Sequence, residues 1–177
     1  MQQLLLLRHA KSSWDDSAQS DHARPLNPRG RRAAAQLRTI MRELGLVPDV
    51  VLVSSARRTL QTLEALSPWD ETPIVEPMDG LYLADVSRLR EAVRSVAETV
   101  RSLMLVGHNP GLHEFAVMLA GAQGLAPTTE MGRRLTEGFP AGALAEFGVA
   151  RAWRELGEGS GQLVRFVCPG DATDGGS

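Results

Sequence analysis

Leu4, Leu5, Leu6 and Leu7 run together without a polar interruption, closed by Gln3 on one side and Arg8 on the other. An apolar run of strand length with no polar alternation predicts a strand buried on both faces, as at the centre of a parallel sheet. Val50-Val51-Leu52-Val53 and Leu103-Met104-Leu105-Val106 repeat the pattern, and Ile74-Val75 after Pro73 is a shorter version of it. Between these runs the apolar spacing changes to three and four. Ala33, Leu37, Ile40, Met41 and Leu44 mark one amphipathic helix, and Leu60 with Leu63 mark the inward face of a second. Val86, Leu89, Val93, Val96 and Val100 predict a third, and Leu112, Phe115, Ala116 and Leu119 a fourth. End signals agree: Asn27 caps the first helix with Pro28 at its first position, Gly45 stops it, Ser54 or Ser55 caps the second, and Asp85 the third.

The rest of the chain is less strongly patterned. Residues 10–27 hold Ser, Asp, Gln and Pro without periodicity and read as a long loop leaving the first strand. Residues 121–141 are poorly patterned, with a short helix expected near 130–135. Alternation over 143–149 and 163–168 predicts two closing strands joined by a glycine-rich turn at 157–161, and therefore antiparallel neighbours. Residues 169–177 have the composition of a disordered tail. Together the elements predict an α/β fold: a single three-layer, doubly wound domain over 1–168 with a mostly parallel central sheet.

Composition narrows the function classes. A chain of 177 residues, 43% apolar and 23% charged, is ordinary for one globular domain. A net charge of −2 supplies no basic field of the kind nucleic-acid binders need. Cys168 is the one cysteine, so no internal disulfide framework or cysteine metal cluster is expected, and it reads as a small buried hydrophobe. No apolar run approaches membrane-spanning length. The leucine run is too short for a signal-peptide core and no basic segment precedes it, so the expected location is cytoplasmic. The helix faces can bury against the sheet without a second subunit, and a monomer is expected.

The chemistry-bearing residues gather at predicted strand ends. Arg8 and His9 follow the first strand, Ser54, Ser55, Ala56, Arg57 and Arg58 the second, and Gly107, His108 and Asn109 the fourth. In open α/β sheets the carboxyl edge of the strands is where ligands bind. A guanidinium beside an imidazole suits a phosphoryl group, one as anion clamp and the other as nucleophile or acid/base. Arg8 and His9 taken alone read more readily as a surface pair at a strand end; three such groups converging on one edge point to a site. Arg58 is expected in a first helical turn, where a cation is unfavourable for helix stability but helps the free amides bind an anion. Arg57 is expected to face solvent. Gly107 is expected to allow close backbone approach. His22 reads as a solvated loop histidine and His113 as structural or solvent-facing.

Strand-Arg8-His9, the Ser54-Ser55-Ala56-x-Arg58-x-x-Gln61-Thr62 stretch and Gly107-His108-Asn109-Pro110-Gly111, in that order, resemble the histidine phosphatase superfamily. More narrowly, Arg8-His9-Ala10-Lys11-Ser12, Asp21 with Arg24-Pro25-Leu26-Asn27, and Leu81-Tyr82 resemble the SixA-type phosphohistidine phosphatases, over roughly residues 3–153. The resemblance implies a phosphoglycerate mutase-like fold and a phosphatase that needs no metal or cofactor. It makes His9 the transiently phosphorylated nucleophile. Arg8, Arg58 and His108 would bind the phosphoryl oxygens, and Asn109 would neighbour them in the pocket. To attack, His9 must be neutral, so its other ring nitrogen should donate to a backbone carbonyl that fixes the tautomer.

Two departures from the wider superfamily stand out. Ala10 and Ala141 replace a common glycine and a frequent threonine. The glutamate general acid of the phosphoglycerate mutases and many phosphomonoesterases has no counterpart in pattern; Glu76, Asp79 and Asp85 are nearby candidates. A sugar alkoxide, whose conjugate acid titrates near that of water at about 15.7, needs such an acid. Imidazole, with a pKa of about 6.5, does not. The expected activity is therefore metal-independent hydrolysis of a protein phosphohistidine through phospho-His9. The alternatives are a small-molecule phosphomonoesterase and a non-catalytic phosphate- or phosphohistidine-binding module. Expected partners are a phosphohistidine-bearing protein or a small phosphorylated substrate, with no nucleic acid and no membrane.

Overall fold

A computed structural model describes residues 1–126 and 129–171. In chain order the elements are β1 (Gln2–Arg8), α1 (Pro28–Leu44), β2 (Val50–Ser54), α2 (Arg57–Glu64), β3 (Ile74–Met78), α3 (Val86–Arg94), β4 (Ser102–Gly107), α4 (Gly111–Gly124), α5 (Glu130–Glu137), β5 (Leu144–Val149) and β6 (Gly161–Val167). Short 3-10 turns occur at Asp21–Ala23, Asp79–Leu81 and Trp153–Glu155. The six strands form one sheet in the order β3-β2-β4-β1-β5-β6. The β3-β2, β2-β4 and β4-β1 pairs are parallel; β1-β5 is antiparallel, and so is β5-β6, as the short connection between those two strands predicts.

Both faces of the sheet are covered, which is why β1 shows no alternation. Leu5 and Leu7 join Val51, Val53, Met104 and Val106 beneath Leu37 and Met41 of α1 and Leu63 of α2. Leu4 and Leu6 join Leu52, Leu103 and Leu105 beneath Leu89 and Val93 of α3 and Leu112, Phe115 and Leu119 of α4. All four leucines are fully buried. Full burial of one such side chain is worth roughly 1.5–3 kcal/mol, so β1 anchors two cores at once. This three-layer α/β arrangement is the one the sequence elements predict.

The helix ends follow their sequence signals in part. Asn27 Oδ1 accepts from Gly30 N at 2.8 Å, Pro28 opens α1, and Gly45 closes it in the left-handed region at φ 68°. Asp85 Oδ1 caps α3 through Arg88 N at 3.0 Å. The expected cap of α2 is corrected: Ala56 holds that position with no side-chain bond, because the Ser54 and Ser55 hydroxyls are engaged by histidines. In α1 it is Ala34, not Ala33, that is buried, and Leu44 is exposed in the last turn. Leu60 is exposed as well, since the inward face of α2 consists of Arg58, Thr59, Thr62 and Leu63. That helix packs polar groups over the carboxyl edge of the sheet rather than apolar ones into the core.

Further differences come from strand edges and turns. The third strand runs on to Met78, and Pro77 is tolerated because β3 is an edge strand. Helix α3 ends at Arg94, and Val96 and Val100 pack half-buried from the segment that follows. The weakly patterned 121–141 stretch contains the end of α4, broken at Gly121, and then α5. Of the expected tail, 169–171 is held by Asp171, which accepts from Cys168 N at 2.8 Å and pairs with Arg134 at 3.1 Å; residues 172–177 lie outside the described residues.

The site edge arises from topology. Helix α1 leaves β1 toward one layer and α4 leaves the adjacent β4 toward the other, which opens a crevice at their carboxyl ends. The parallel register sets Arg8 opposite Gly107, and His9 N donates to Gly107 O at 3.2 Å. His9 and His108 thus emerge side by side. The close backbone approach expected at Gly107 occurs instead at Gly111. A Cβ on Gly107 would make an ordinary contact at 3.5 Å, whereas one on Gly111 would lie 1.9 Å from Ala84 O. Gly111→Ala is expected to cost about 2 kcal/mol, or roughly 4–8 °C in Tm. Gly107→Ala should cost clearly less, and equal losses in thermal melts would contradict this packing argument.

Candidate active site

A cleft of about 700 Å³ opens at this edge, lined among others by Arg8, His9, Lys11, Ser12, Arg24, Arg58, His108, Asn109 and Ala141. The structure therefore brings together all five residues expected from the sequence: Arg8, His9, Arg58, His108 and Asn109.

His9 is buried at the end of β1. Its Nδ1 lies 2.7 Å from Ala10 O. A carbonyl can only accept, so Nδ1 carries the proton and Nε2 keeps its lone pair. Burial, reinforced by Arg58 and Arg8, holds its pKa down at about 4 despite the opposing carbonyl bond, so the ring is neutral at neutral pH. The loop behind it is tied down by Thr62, whose Oγ1 accepts from Ala10 N at 3.0 Å and donates to Arg58 O at 2.7 Å. Gln61 Oε1 likewise accepts from Leu26 N at 2.8 Å. The Gln61-Thr62 pair of the motif is a staple between α2 and the 10–27 loop.

His108 stands beside His9 with ring centroids 5.3 Å apart. Its Nε2 lies 2.7 Å from Ser54 Oγ, which also accepts from Ala56 N at 3.3 Å. A hydroxyl can both donate and accept; in the tautomer where Ser54 donates its proton to Nε2, His108 presents Nδ1–H as a donor. Burial, then the proximity of His9 and Arg58, lowers the His108 pKa to about 3. Its Nδ1 is buried without a partner, as are Arg8 Nε, Arg58 Nε and Asn109 Oδ1. Buried polar atoms of this kind are costly unless a ligand uses them.

Sequence reasoning missed the residues that aim the arginines. Asp21 is the hub. Its Oδ2 accepts from Arg58 Nη2 at 3.0 Å and from the Tyr82 hydroxyl, its Oδ1 from Arg24 Nε at 3.0 Å, and its backbone carbonyl from Arg58 Nη1 at 2.7 Å. The Tyr82 hydroxyl foremost, then Arg24 and Arg58, hold its carboxyl at about 2. The Tyr82 ring stands edge-on to His108 at 5.5 Å and to His22 at 4.9 Å. Phe139 O accepts from Arg8 Nη1 at 3.1 Å and from Asn109 Nδ2 at 2.8 Å, which gives part of the weakly patterned 121–141 segment a site role. Asp21 and Tyr82 were both within the motifs that carried the resemblance; Phe139 acts through its carbonyl and leaves no side-chain signal.

The remaining expectations divide as follows. His22 is exposed, as expected, with its ring on Ser55 Oγ at 3.0 Å, and His113 is structural, 2.6 Å from Leu135 O. Exposed Arg57 reaches Ala23 O at 3.5 Å. Asp85 is the α3 cap, Asp79 opens a 3-10 turn, and Glu76 lines a separate groove between β3 and α3. Among the described residues, Asp21 is the only carboxylate lining the cleft, against Arg8, Lys11, Arg24 and Arg58. Among the same residues, no group of three or more His, Cys, Asp or Glu is placed to hold a metal ion, and no helix is long and apolar enough to cross a membrane.

Residues 4–81 match the model of the histidine phosphatase superfamily, branch 1. An uncharacterized protein of Mycobacterium tuberculosis is 34% identical over 166 residues, covering 92% of this chain and 99% of its own length. A structure assigned as the phosphohistidine phosphatase SixA of Nakamurella multipartitia is 31% identical and superposes with a TM-score of 0.83 over 96% of both chains. The chain belongs to the histidine phosphatase superfamily. A second structure assigned as SixA, from Agrobacterium tumefaciens, is 27% identical with a TM-score of 0.80, covering 95% of this chain and 98% of its own. This protein is accordingly a SixA-like phosphatase.

The buried imidazoles make the stability of this phosphatase pH-dependent. An unfolded chain binds protons at His9 and His108 near the ordinary value of about 6.5, whereas the folded protein binds them only near 4 and 3. Their contribution is thus fully present above about 6.5 and is lost as pH falls toward about 3–4. Asp21, held at about 2 instead of 3.8, loses its contribution over the lower window between those values. Thermal melts should show Tm level above about pH 7 and falling below about 6.5. His108→Gln should flatten the upper part of that fall and Asp21→Asn the lower part; unchanged profiles would refute these assignments.

Proposed function

We propose that the protein hydrolyses the phosphoryl group of a protein phosphohistidine through a covalent phospho-His9 intermediate, without a metal ion. The observation that carries this reading is the pairing of a neutral His9, its lone pair on Nε2, with a cleft whose only carboxylate among the described residues is locked ionised. The first feature suits a nucleophile. The second leaves no carboxylic acid to protonate a poor leaving group.

In this reading His9 Nε2 attacks phosphorus, the P–N bond of the substrate breaks, and its electron pair stays on the leaving imidazole. A phosphohistidine ring titrates near neutrality at its distal nitrogen, so it can bring its own proton and leave as neutral imidazole. Water then attacks phosphorus, the bond to Nε2 breaks, orthophosphate departs and His9 regains its lone pair. Arg8, Arg58 and His108 Nδ1–H would meet the three phosphoryl oxygens, on which negative charge concentrates. Asn109, fixed on Phe139 O, would hold the adjacent wall. Asp21 is a positioning residue in this scheme: it aims Arg58 and cannot itself serve as an acid at neutral pH. The proposal carries with it a cytoplasmic, monomeric enzyme acting on a phosphohistidine-bearing protein.

The test compares a phosphohistidine substrate with a sugar phosphate in the presence of a chelator. A missing general acid should slow the sugar phosphate by on the order of 10²-fold or more relative to the P–N substrate. His9→Ala should lose roughly 10³-fold or more of the activity, and acid-labile phosphate should appear on wild-type His9 during turnover. Preference for the sugar phosphate would replace this reading with a small-molecule phosphomonoesterase. Full activity of His9→Ala would remove the covalent mechanism.

A further inference from the structure

Trp14 has no folding role that explains its position. It lines the cleft with His9 and Arg58, yet 74% of its surface remains exposed. One face of its indole is occupied: the Arg24 guanidinium lies over the ring, 3.4 Å from its centroid. Arg24 is buried and immobilised. Its Nε donates to Asp21 Oδ1 at 3.0 Å, and its Nη1 donates to Ser12 Oγ at 2.7 Å and to Ser13 O at 3.3 Å. The same Asp21 carboxylate holds Arg58. The indole is thus tied to the hub that positions the site, and most of its surface is left open where it lines the cleft.

Deepening the phosphohistidine reading and resting on it, we propose that Trp14, backed by Arg24, is the subsite for the planar ring of the leaving group. Three observations support this. A cleft of about 700 Å³ is far larger than a phosphoryl group requires, so part of it must hold whatever the phosphoryl group is attached to. Of the buried side-chain polar atoms without partners, four belong to cleft residues, Arg8, Arg58, His108 and Asn109, so the phosphoryl group goes to them and its leaving group faces the exposed side of the cleft where Trp14 stands. At the mouth the structure offers a flat aromatic surface, held rigid by a cation on its far side. A ring stacking on a pre-fixed indole loses little side-chain freedom in doing so. An ammonia or alkyl leaving group has no π-face and gains nothing from it.

The experiment measures kcat and KM of wild type, Trp14→Ala and Trp14→Phe on a phosphohistidine peptide, p-nitrophenyl phosphate and phosphoramidate. The last has a P–N bond but no ring. Stacking predicts that Trp14→Ala lowers kcat/KM for the ring-bearing substrates about 10-fold, mainly through KM, with Trp14→Phe intermediate. Phosphoramidate should stay within about twofold of wild type, since it never uses the platform. Equal losses on all three would show a purely structural role for the Trp14–Arg24 stack and overturn the proposal, as would no loss on any. Wild type inactive on phosphohistidine, but with p-nitrophenyl phosphate lost and phosphoramidate spared in Trp14→Ala, would sink the substrate assignment and leave the platform standing. Trp14 is exposed, so the variants should keep the wild-type Tm, which checks that they fold.

Discussion

Parallel pairing of β1 with β4, in the register that sets Arg8 opposite Gly107, is the constraint on which everything else at the carboxyl edge depends. A shift of one residue would turn Leu4 and Leu6 toward the layer built for Leu5 and Leu7, and it would part His9 from His108. Two separate apolar cores resist that shift, because each strand of the pair is buried on both faces. The precision of the site is borrowed from the packing beneath it. Helices that diverge from β1 and β4 to opposite layers then open the crevice without any special loop being required.

The electrostatics of the crevice follow from the same burial. Two imidazoles withdrawn from water beside two guanidinium groups are held neutral. Positive charge therefore rests on the arginines, and His9 keeps a lone pair to use. Asp21 offsets part of the repulsion among Arg8, Arg24 and Arg58 and sets the direction of two of them. A carboxylate committed to that task is a weak base and an unavailable acid, which links the architecture of the arginine cluster to the kind of leaving group the site can handle. Tyr82 extends the hub to the rings of His22 and His108, and Arg24 extends it to Trp14. One carboxylate thereby connects the phosphoryl end of the cleft to its mouth.

The sequence by itself determined the buried strands, the first helix with its Asn27, Pro28 and Gly45 punctuation, and the candidate residues at the strand ends. Those features are encoded locally: apolar runs, turn chemistry and adjacency along the chain. Only the tertiary structure decided the rest. Asp21, Tyr82, Ser54 and Phe139 act across separations of tens of residues, and a serine after a strand looks the same whether it caps a helix or bonds a histidine. The inward face of α2 is polar because of what it covers, so an apolar period placed Leu60 on the wrong side. Gly111 rather than Gly107 needed to lack a side chain because the Ala84 carbonyl arrives there from another segment. Local patterns report what a residue prefers. Which partner it meets depends on chain segments that only the packed sheet and helices bring together.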